Sequence, residues 1–450
     1  PADPHLYDLT ITLLDADGAE VDTVETYAGL RSVSLDGHAV LLNGEPVFQR
    51  LVLDQGYYPD GLMTAPSDEA LVRDIELAMA AGFNGARLHQ KVFEERFLFH
   101  ADRLGYLVWG EFGDWGAAER GTQEHGEFQR PTPTFVAQWL EALERDHSHP
   151  SIVGWCGLNE TYQEITDRGT VLDDVTRAMF LAAKAMDTSR PVLDASGYSH
   201  RVAESDVWDS HNYTQDPAQF AREMAGLAQG RPDTNTGPAG QTWSLPYGGQ
   251  PWFCSEFGGI WWRPDAAASN PEVDRGATSS WGYGEPPRSE EEFHHRFEGL
   301  TGVLLDDPRM FGYCYTQLTD VFQEQNGVYS FDRSEKLIFE VAEQKLEMEC
   351  TYETGAGGDV VSFKRAGASG QLLVAPEQFE LHAKLGMLLG MFRGRIESEI
   401  VRNLDDLLAQ AQPLDAFEAG LAAHEAKRAA KLDAKREAKA AQAKAPRRAK

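Results

Sequence analysis

Cysteine is scarce: the 450 residues hold four, at positions 156, 254, 314 and 350, without paired spacing. That argues against a disulfide scaffold or a zinc cluster. Those at 156, 254 and 314 fall in apolar, strand-like runs and read as small core residues. No uninterrupted run of 18 apolar residues is present, so no membrane span is expected. No charged and then apolar leader precedes the first predicted strand. The compartment is unreadable on this basis, with the cytoplasm favoured. No Gly-rich phosphate loop follows the first strand of the main region, which speaks against a dinucleotide-binding sheet. "HSHP" (147–150) and the His294-His295 pair lack the helix-spaced carboxylate of a zincin. They read as surface or loop-fixing histidines, and no metal site is expected.

A hydrophobic fraction of 42% and ten Trp are ample for a buried core. The length allows one large barrel with appendages. A net charge of −30 hides an asymmetry, because residues 424–450 carry ten Lys/Arg against three Asp/Glu. The body should repel nucleic acid, while the tail alone could attract an anionic surface.

Residues 1–35 contain two alternating apolar runs around Asp17-Gly18, a hairpin signature. Two strands cannot bury a core alone. From 36 to 334 the pattern changes to eight short apolar runs separated by helical stretches: "VFQRLVL", "FNGARLH", "YLVWGE", "IVGWCGLNE", "PVLDAS", "DVWDSHNY", "PWFCSE" and "MFGYCYTQL". Most are continuous, as parallel strands covered on both faces should be. "SDEALVRDIELAMAAG" shows a Ser cap, helical apolar spacing and a Gly stop. Eight such units predict a (β/α)8 TIM barrel. Residues 335–411 change again, to a helical stretch, four short strands and a helix over 387–410, a small α+β domain. Residues 412–450 are an Ala/Lys-rich tail, helical or disordered.

Reactive groups in such a barrel belong at the C-terminal ends of strands. Glu160 ends the fourth run and Glu256 the seventh. Either carboxylate alone reads equally well as a cap or an arginine partner. Together they suit glycoside hydrolysis, which needs one protonated carboxyl and one ionised carboxylate, a split that proximity produces. Asn159 could hydrogen-bond a sugar 2-hydroxyl. Tyr213 could orient the nucleophile or be a rim aromatic. Trp261, Trp262 and Trp281 suit rim packing or sugar stacking.

With these residues in view, "GLRSVSLDGHAVLLNGEPVFQRLVLDQGYYPDG", "GFNGARLHQKVFEERFLFHADRLGYLVWGE", "HPSIVGWCGLNE", "SHNY" and "SEFGG" resemble the catalytic region of glycoside hydrolase family 2 over residues 5–333. The resemblance implies a retaining, double-displacement exo-β-glycosidase, β-galactosidase-like, with Glu160 as acid/base and Glu256 as nucleophile. It implies substrate contacts at Arg87, Asn159, Tyr213, His211, Asp54 and Trp281, and makes the opening hairpin the remnant of an immunoglobulin-like β-sandwich. Cofactors are not expected, Mg²⁺ entering by family analogy alone. Two departures bear on the sugar: Arg87 is followed by Leu88-His89-Gln90 instead of the family's His-Tyr, and "YCYTQLTD" replaces a Trp-Asn. The platform would then be Tyr315 with Gln317.

Residues 348–409, with "MECTYE", "FELHAKLGMLLG" and "RIESEIVRNLD", resemble the polyhydroxyalkanoic acid system proteins. That implies association with polyester granules through 335–450, and no catalytic residue. Met387, Leu388, Leu389, Met391 and Phe392 could face a granule or form the core face of the last helix. The resembled domain lacks an opening strand before Met348. The chain thus looks like a natural or artificial join of two unrelated genes, with its seam near 334–339. The alternative to an enzyme is a sugar-binding, weakly active barrel carried by a granule module.

Overall fold

The computed structural model describes residues 4–114, 133–161, 171–237, 240–263 and 280–337, together with four strands between 349 and 385. It divides into two compact units, Pro1–Leu346 and Glu347–Lys450.

β1 (Tyr7–Leu14) and β2 (Glu20–Ala28) form the expected antiparallel hairpin. Its apolar residues stay in solvent, with Ile11 and Leu13 each 60% exposed. β3 (Val33–Asp36), β4 (Ala39–Leu42) and β5 (Glu45–Pro46) make a small antiparallel sheet. It plugs one end of the barrel, because Val40 is buried in the barrel's own core with Val33, Leu42 and Val47 packed against it.

All eight predicted runs are parallel barrel strands: β6 (Gln49–Asp54), β7 (Gly85–Leu88), β8 (Leu107–Glu111), β9 (Ile152–Cys156), β10 (Val192–Leu193), β11 (Trp208–Asn212), β12 (Trp252–Gly258) and β13 (Met310–Thr316). The fold is a (β/α)8 TIM barrel after an N-terminal β region. Leu51, Leu53, Leu107, Trp109, Val153, Leu193, Phe253 and Phe311 fill its interior. The helices are α1 (Asp68–Ala80), α2 (Glu95–Leu104), α3 (Pro133–Asp146), α4 (Val171–Met186), α5 (Pro217–Met224) and α6 (Glu290–Leu305). Ser67 caps α1 as predicted, its hydroxyl accepting from the Ala70 amide at 3.3 Å. The connection from β10 to β11 departs from the expected pattern, for it contains no helix.

That helix-free connection closes the barrel. β10 and β11 stand at opposite ends of the strand order, and polar bonds span the seam between them. The Asp206 amide donates to the Val192 carbonyl at 3.2 Å. His200 lies fully buried, its Nδ1 2.9 Å from Asp194 and its Nε2 3.1 Å from Asp209. Two carboxylates, one at each ring nitrogen, require both nitrogens to carry protons. Burial alone would lower the imidazole, but the two carboxylates override it and push His200 up to about 10. Asp209 is correspondingly held down at about 2, against the burial that opposes it.

Barrel contacts run to Leu337. Arg333 pairs with Asp74 of α1 at 2.9 Å, Lys336 with Asp320 at 2.5 Å, and Leu337 is buried. In the second unit, β14 (Glu349–Gly355), β15 (Gly358–Arg365), β16 (Ala368–Ala375) and β17 (Gln378–Leu385) form an antiparallel meander at the four positions predicted. The helices expected at 335–348 and 387–410, with Met387, Leu388, Leu389, Met391 and Phe392, and the tail, fall largely outside the described residues.

His200→Ala should leave two buried carboxylates without their cation and cost about 3–5 kcal/mol, measured as a lowered urea midpoint of the barrel at pH 7. His200 has a folded-state pKa above its unfolded value of about 6.5. Its stabilisation is therefore complete below about pH 6.5 and disappears as pH rises through about 10. The variant should lack that alkaline loss.

Candidate active site

The register of two strands sets the site. β11 pairs with β12 through Ser210 opposite Cys254, and then His211 opposite Glu256, so Ser255 is skipped. An extra residue of this kind re-aims the side chains that follow. It brings Glu256 and His211 together at the C-terminal mouth. Glu160 follows β9 with a left-handed φ of +47°, a costly conformation for a residue with a Cβ. An oxygen of Glu160 and an oxygen of Glu256 lie within 4.8 Å of each other, with a His211 nitrogen inside the same limit. The Glu160 side chain is a third exposed and that of Glu256 almost fully buried.

Arg87 organises the buried side. Its guanidinium lies 2.6 Å from Glu111 and 3.2 Å from Glu256. It also donates to the Ser255 carbonyl at 2.8 Å and to Asn159 at 3.1 Å. His89 Nε2 stands 3.6 Å from Glu256 and 3.4 Å from the Asn159 amide. Burial, with Arg87 nearby, holds His89 well below its ordinary value, so the ring is neutral. The Tyr213 hydroxyl donates to Glu256 at 2.5 Å. Its ring lies flat on Tyr283, with centroids 3.5 Å apart. Gly259 permits that stack: its φ is +55°, and a Cβ there would sit 2.4 Å from the Tyr283 ring.

His211 Nδ1 is 2.9 Å from Glu160 and 3.4 Å from Glu256, while its Nε2 meets the Ser196 hydroxyl at 2.9 Å. Burial opposes charge on this ring, but Glu256 and Glu160 together raise it. Burial works upward on Glu160 too, and the bond from His211 overrides it, holding Glu160 below the usual range. Burial and the Glu160 charge push Glu256 up to about 6, although His211, Arg87 and Tyr213 favour its ionised form. Near neutral pH Glu256 is a carboxylate, and the proton of the Glu160–His211 pair sits on His211, whose imidazolium donates to the Glu160 carboxylate.

Arg87, Asn159, Glu160, His211, Tyr213 and Glu256 therefore converge. Asp54 does not. Leu51 and Leu53 point into the barrel, so alternation turns Asp54 outward toward α1. There it accepts from the Gly56 amide at 2.8 Å, and burial followed by the Asp74 charge raises it to about 7. Tyr315 is also turned outward, because Cys314 faces the core. It packs on Phe257 and on Phe297 of α6 and is no sugar platform. Gln317 does reach the mouth, bonding Gln55 at 2.7 Å. Trp262 is buried packing, its Nε1 donating to the Lys336 carbonyl. Trp281 is 45% exposed, edge-on to Tyr283. Among the histidines set aside, His149 holds Asp102 at 2.6 Å and His147 the Glu144 carbonyl.

Glu111, Tyr283, Ser196 and Glu324 were not anticipated. Glu111 carried the same signal as Glu160 and Glu256, a carboxylate ending an apolar strand. Glu160, His211 and Glu256 are also the one three-ligand cluster among the described residues. Arg87 at 3.2 Å from Glu256 and a proton on His211 make it a poor cradle for a cation.

Fold and sequence comparison agree on the class. Residues 63–225 match the model for "Glycosyl hydrolases family 2, TIM barrel domain" and residues 1–31 that for "Glycosyl hydrolases family 2". The barrel's homologues are thus glycoside hydrolases, and family 2 is the particular family they come from. The β-galactosidase of Vibrio cholerae is 28% identical over 208 residues, 44% of this chain and 19% of that enzyme. That of Photobacterium profundum is 27% identical over the same length, 44% of this chain and 18% of that enzyme. The chain thus spans under a fifth of the curated relatives it matches. In structure it is similar to a family 2 β-galacturonidase from Eisenbergiella tayi, at 21% identity and a TM-score of 0.55 over 76% of this chain and 58% of that one. It is likewise similar to the β-D-glucuronidase of Dictyoglomus thermophilum, at 19% identity and 0.58 over 77% and 58%. At such identities these two speak for the fold alone. Residues 332–408 match "Putative polyhydroxyalkanoic acid system protein". That match starts sixteen residues before Met348, from which the resemblance was read.

His211 should titrate above its ordinary value of about 6.5 when followed by NMR of its ring protons. Glu160→Gln should lower that midpoint, and an unchanged midpoint would remove the coupling of His211 to Glu160.

Proposed function

We propose that the barrel is a retaining β-glycosidase that removes terminal β-linked sugars, β-galactosides foremost, by double displacement. The observation that carries this reading is the separation of at most 4.8 Å between Glu160 and Glu256 oxygens. Retention calls for carboxyl groups about 5 Å apart, whereas inversion leaves room for a water between them. Glu256 attacks the anomeric carbon while the proton resting on His211 is relayed through Glu160, 2.9 Å away, to the leaving oxygen. The glycosyl-enzyme ester is then opened by water, whose proton returns to Glu160. Arg87 and Tyr213 fix the Glu256 carboxylate, and Asn159 is placed for the sugar 2-hydroxyl. The β-galactoside preference is supported by the names of the curated relatives.

Residues 335–450 are proposed as a separate module that associates with polyester granules, supported by the match over 332–408. Co-sedimentation with polyhydroxyalkanoate granules, comparing the full chain with residues 1–346, checks this: granule binding that survives the truncation sinks it.

On a panel of 4-nitrophenyl β-glycosides, Glu256→Ala and Glu160→Ala should each lower kcat by about 10³-fold or more. Activity of Glu256→Ala equal to wild type would remove the nucleophile assignment. The first product seen by ¹H NMR should be the β-anomer. kcat/KM should fall as pH drops through about 6, where Glu256 takes up a proton.

A further inference from the structure

The structural neighbours include enzymes named for uronides as well as the curated β-galactosidases, so the fold leaves neutral and acidic sugars equally open. The wall beside the two carboxylates distinguishes them. The segment after β13 carries Glu324, which is pinned against Trp281: the Trp281 amide donates to the Gln323 carbonyl and the Gln325 amide to the Trp281 carbonyl, both at 2.7 Å. Glu324 accepts from Gln55 at 3.2 Å through one oxygen and from Asn326 at 3.2 Å through the other. Gln55 also donates to Gln317 at 2.7 Å, and Gln317 to Asn326 at 2.8 Å.

This amide and carboxylate cluster borders the catalytic pair. Gly259, three residues after Glu256, lies against both the Tyr283 ring and the Asn326 amide. Burial raises Tyr283, and the charges of Glu256, Glu160 and Glu324 all add to it. Glu324 is itself raised, chiefly by burial and also by the charge of Glu160, against hydrogen bonds from Asn326, Gln55 and Gln317. Among the described residues the neighbouring cations are already engaged: Arg87 by Glu111 and Glu256, Lys91 by the Gly56 carbonyl at 2.9 Å and Glu94, Lys336 by Asp320, Arg296 by the Glu285 carbonyl and Glu292, and Arg263 by the Ser280 hydroxyl at 3.2 Å. Among the described residues, a uronide carboxylate entering here would meet a third carboxylate, with amides to receive it. Sugar hydroxyls would find an acceptor in Glu324 and amides of both polarities around it.

We propose that Glu324 is a specificity-determining residue that accepts hydroxyl hydrogen bonds from a neutral pyranoside and repels the carboxylate of a uronide. The chain's substrates are accordingly neutral β-hexosides. This rests on the glycosidase reading of the same pocket. Discrimination of this kind works by like-charge exclusion as much as by attraction.

The test compares kcat/KM on 4-nitrophenyl β-galactoside and β-glucoside with that on the β-galacturonide and β-glucuronide, for the full wild-type chain and for Glu324→Gln. The neutral sugars should lead by about 100-fold or more in the wild type, and Glu324→Gln should narrow that ratio at least tenfold by improving the uronides. Equal turnover of both classes, or a ratio unmoved by Glu324→Gln in a variant with wild-type circular dichroism, overturns the proposal. Calorimetric binding of galactose and galacturonate to both proteins separates it from the hydrolase reading. If no glycoside is cleaved, a galactose preference that narrows in Glu324→Gln sustains the role of Glu324 while the hydrolase reading falls. Absence of binding, or equal binding, overturns it.

Discussion

The buried guanidinium of Arg87 is the constraint around which the barrel mouth is built. From β7, one side chain reaches Glu111 on β8, Asn159 beyond β9, and Ser255 and Glu256 on β12, so three other strands report to one charge. A buried cation is tolerated only with its donors satisfied, and here the partners that satisfy it are those whose positions the chemistry needs. The requirement to solvate Arg87 and the requirement to fix Glu256 are the same requirement.

The opposite side of the mouth is governed by protons. Glu160, His211 and Glu256 are too close for independent ionisation, and their titrations belong to the group and not to single residues. Ser196 links His211 to Asp209, which also meets the Gly197 amide and the seam imidazole of His200. The bonds that close the barrel between β10 and β11 therefore continue without a break into the bonds that set the protonation of Glu160 and His211. A seam closed by a backbone ladder would have given no such connection.

The eight strands were legible because parallel strands buried on both faces are written as continuous apolar runs, and Glu160 and Glu256 because each ends one. The same rule applied to "YLVWGE" would have found Glu111. Motif position alone misplaces Asp54 and Tyr315, because it ignores strand parity. With Leu51, Leu53 and Cys314 inside, both residues must point to the helices. Tyr283 and Glu324 had no local signal, since they reach the pocket on loops held by contacts distant in sequence. His200 was equally silent: a single histidine in a polar loop gives no hint that two aspartates will enclose it. The skipped Ser255 is also invisible from the motif, because "SEFGG" does not say which of its residues the neighbouring strand passes over.

The left-handed backbone of Glu160 has an evolutionary consequence. At φ of +47° glycine or asparagine would relax the chain, yet neither could serve the proton transfer proposed for Glu160. Laboratory selection for heat resistance alone would draw this position away from glutamate, and selection for turnover would draw it back. On the proposed mechanism, position 160 is a point where thermostability and catalysis pull in opposite directions. A stabilised library built on this barrel should hold it fixed.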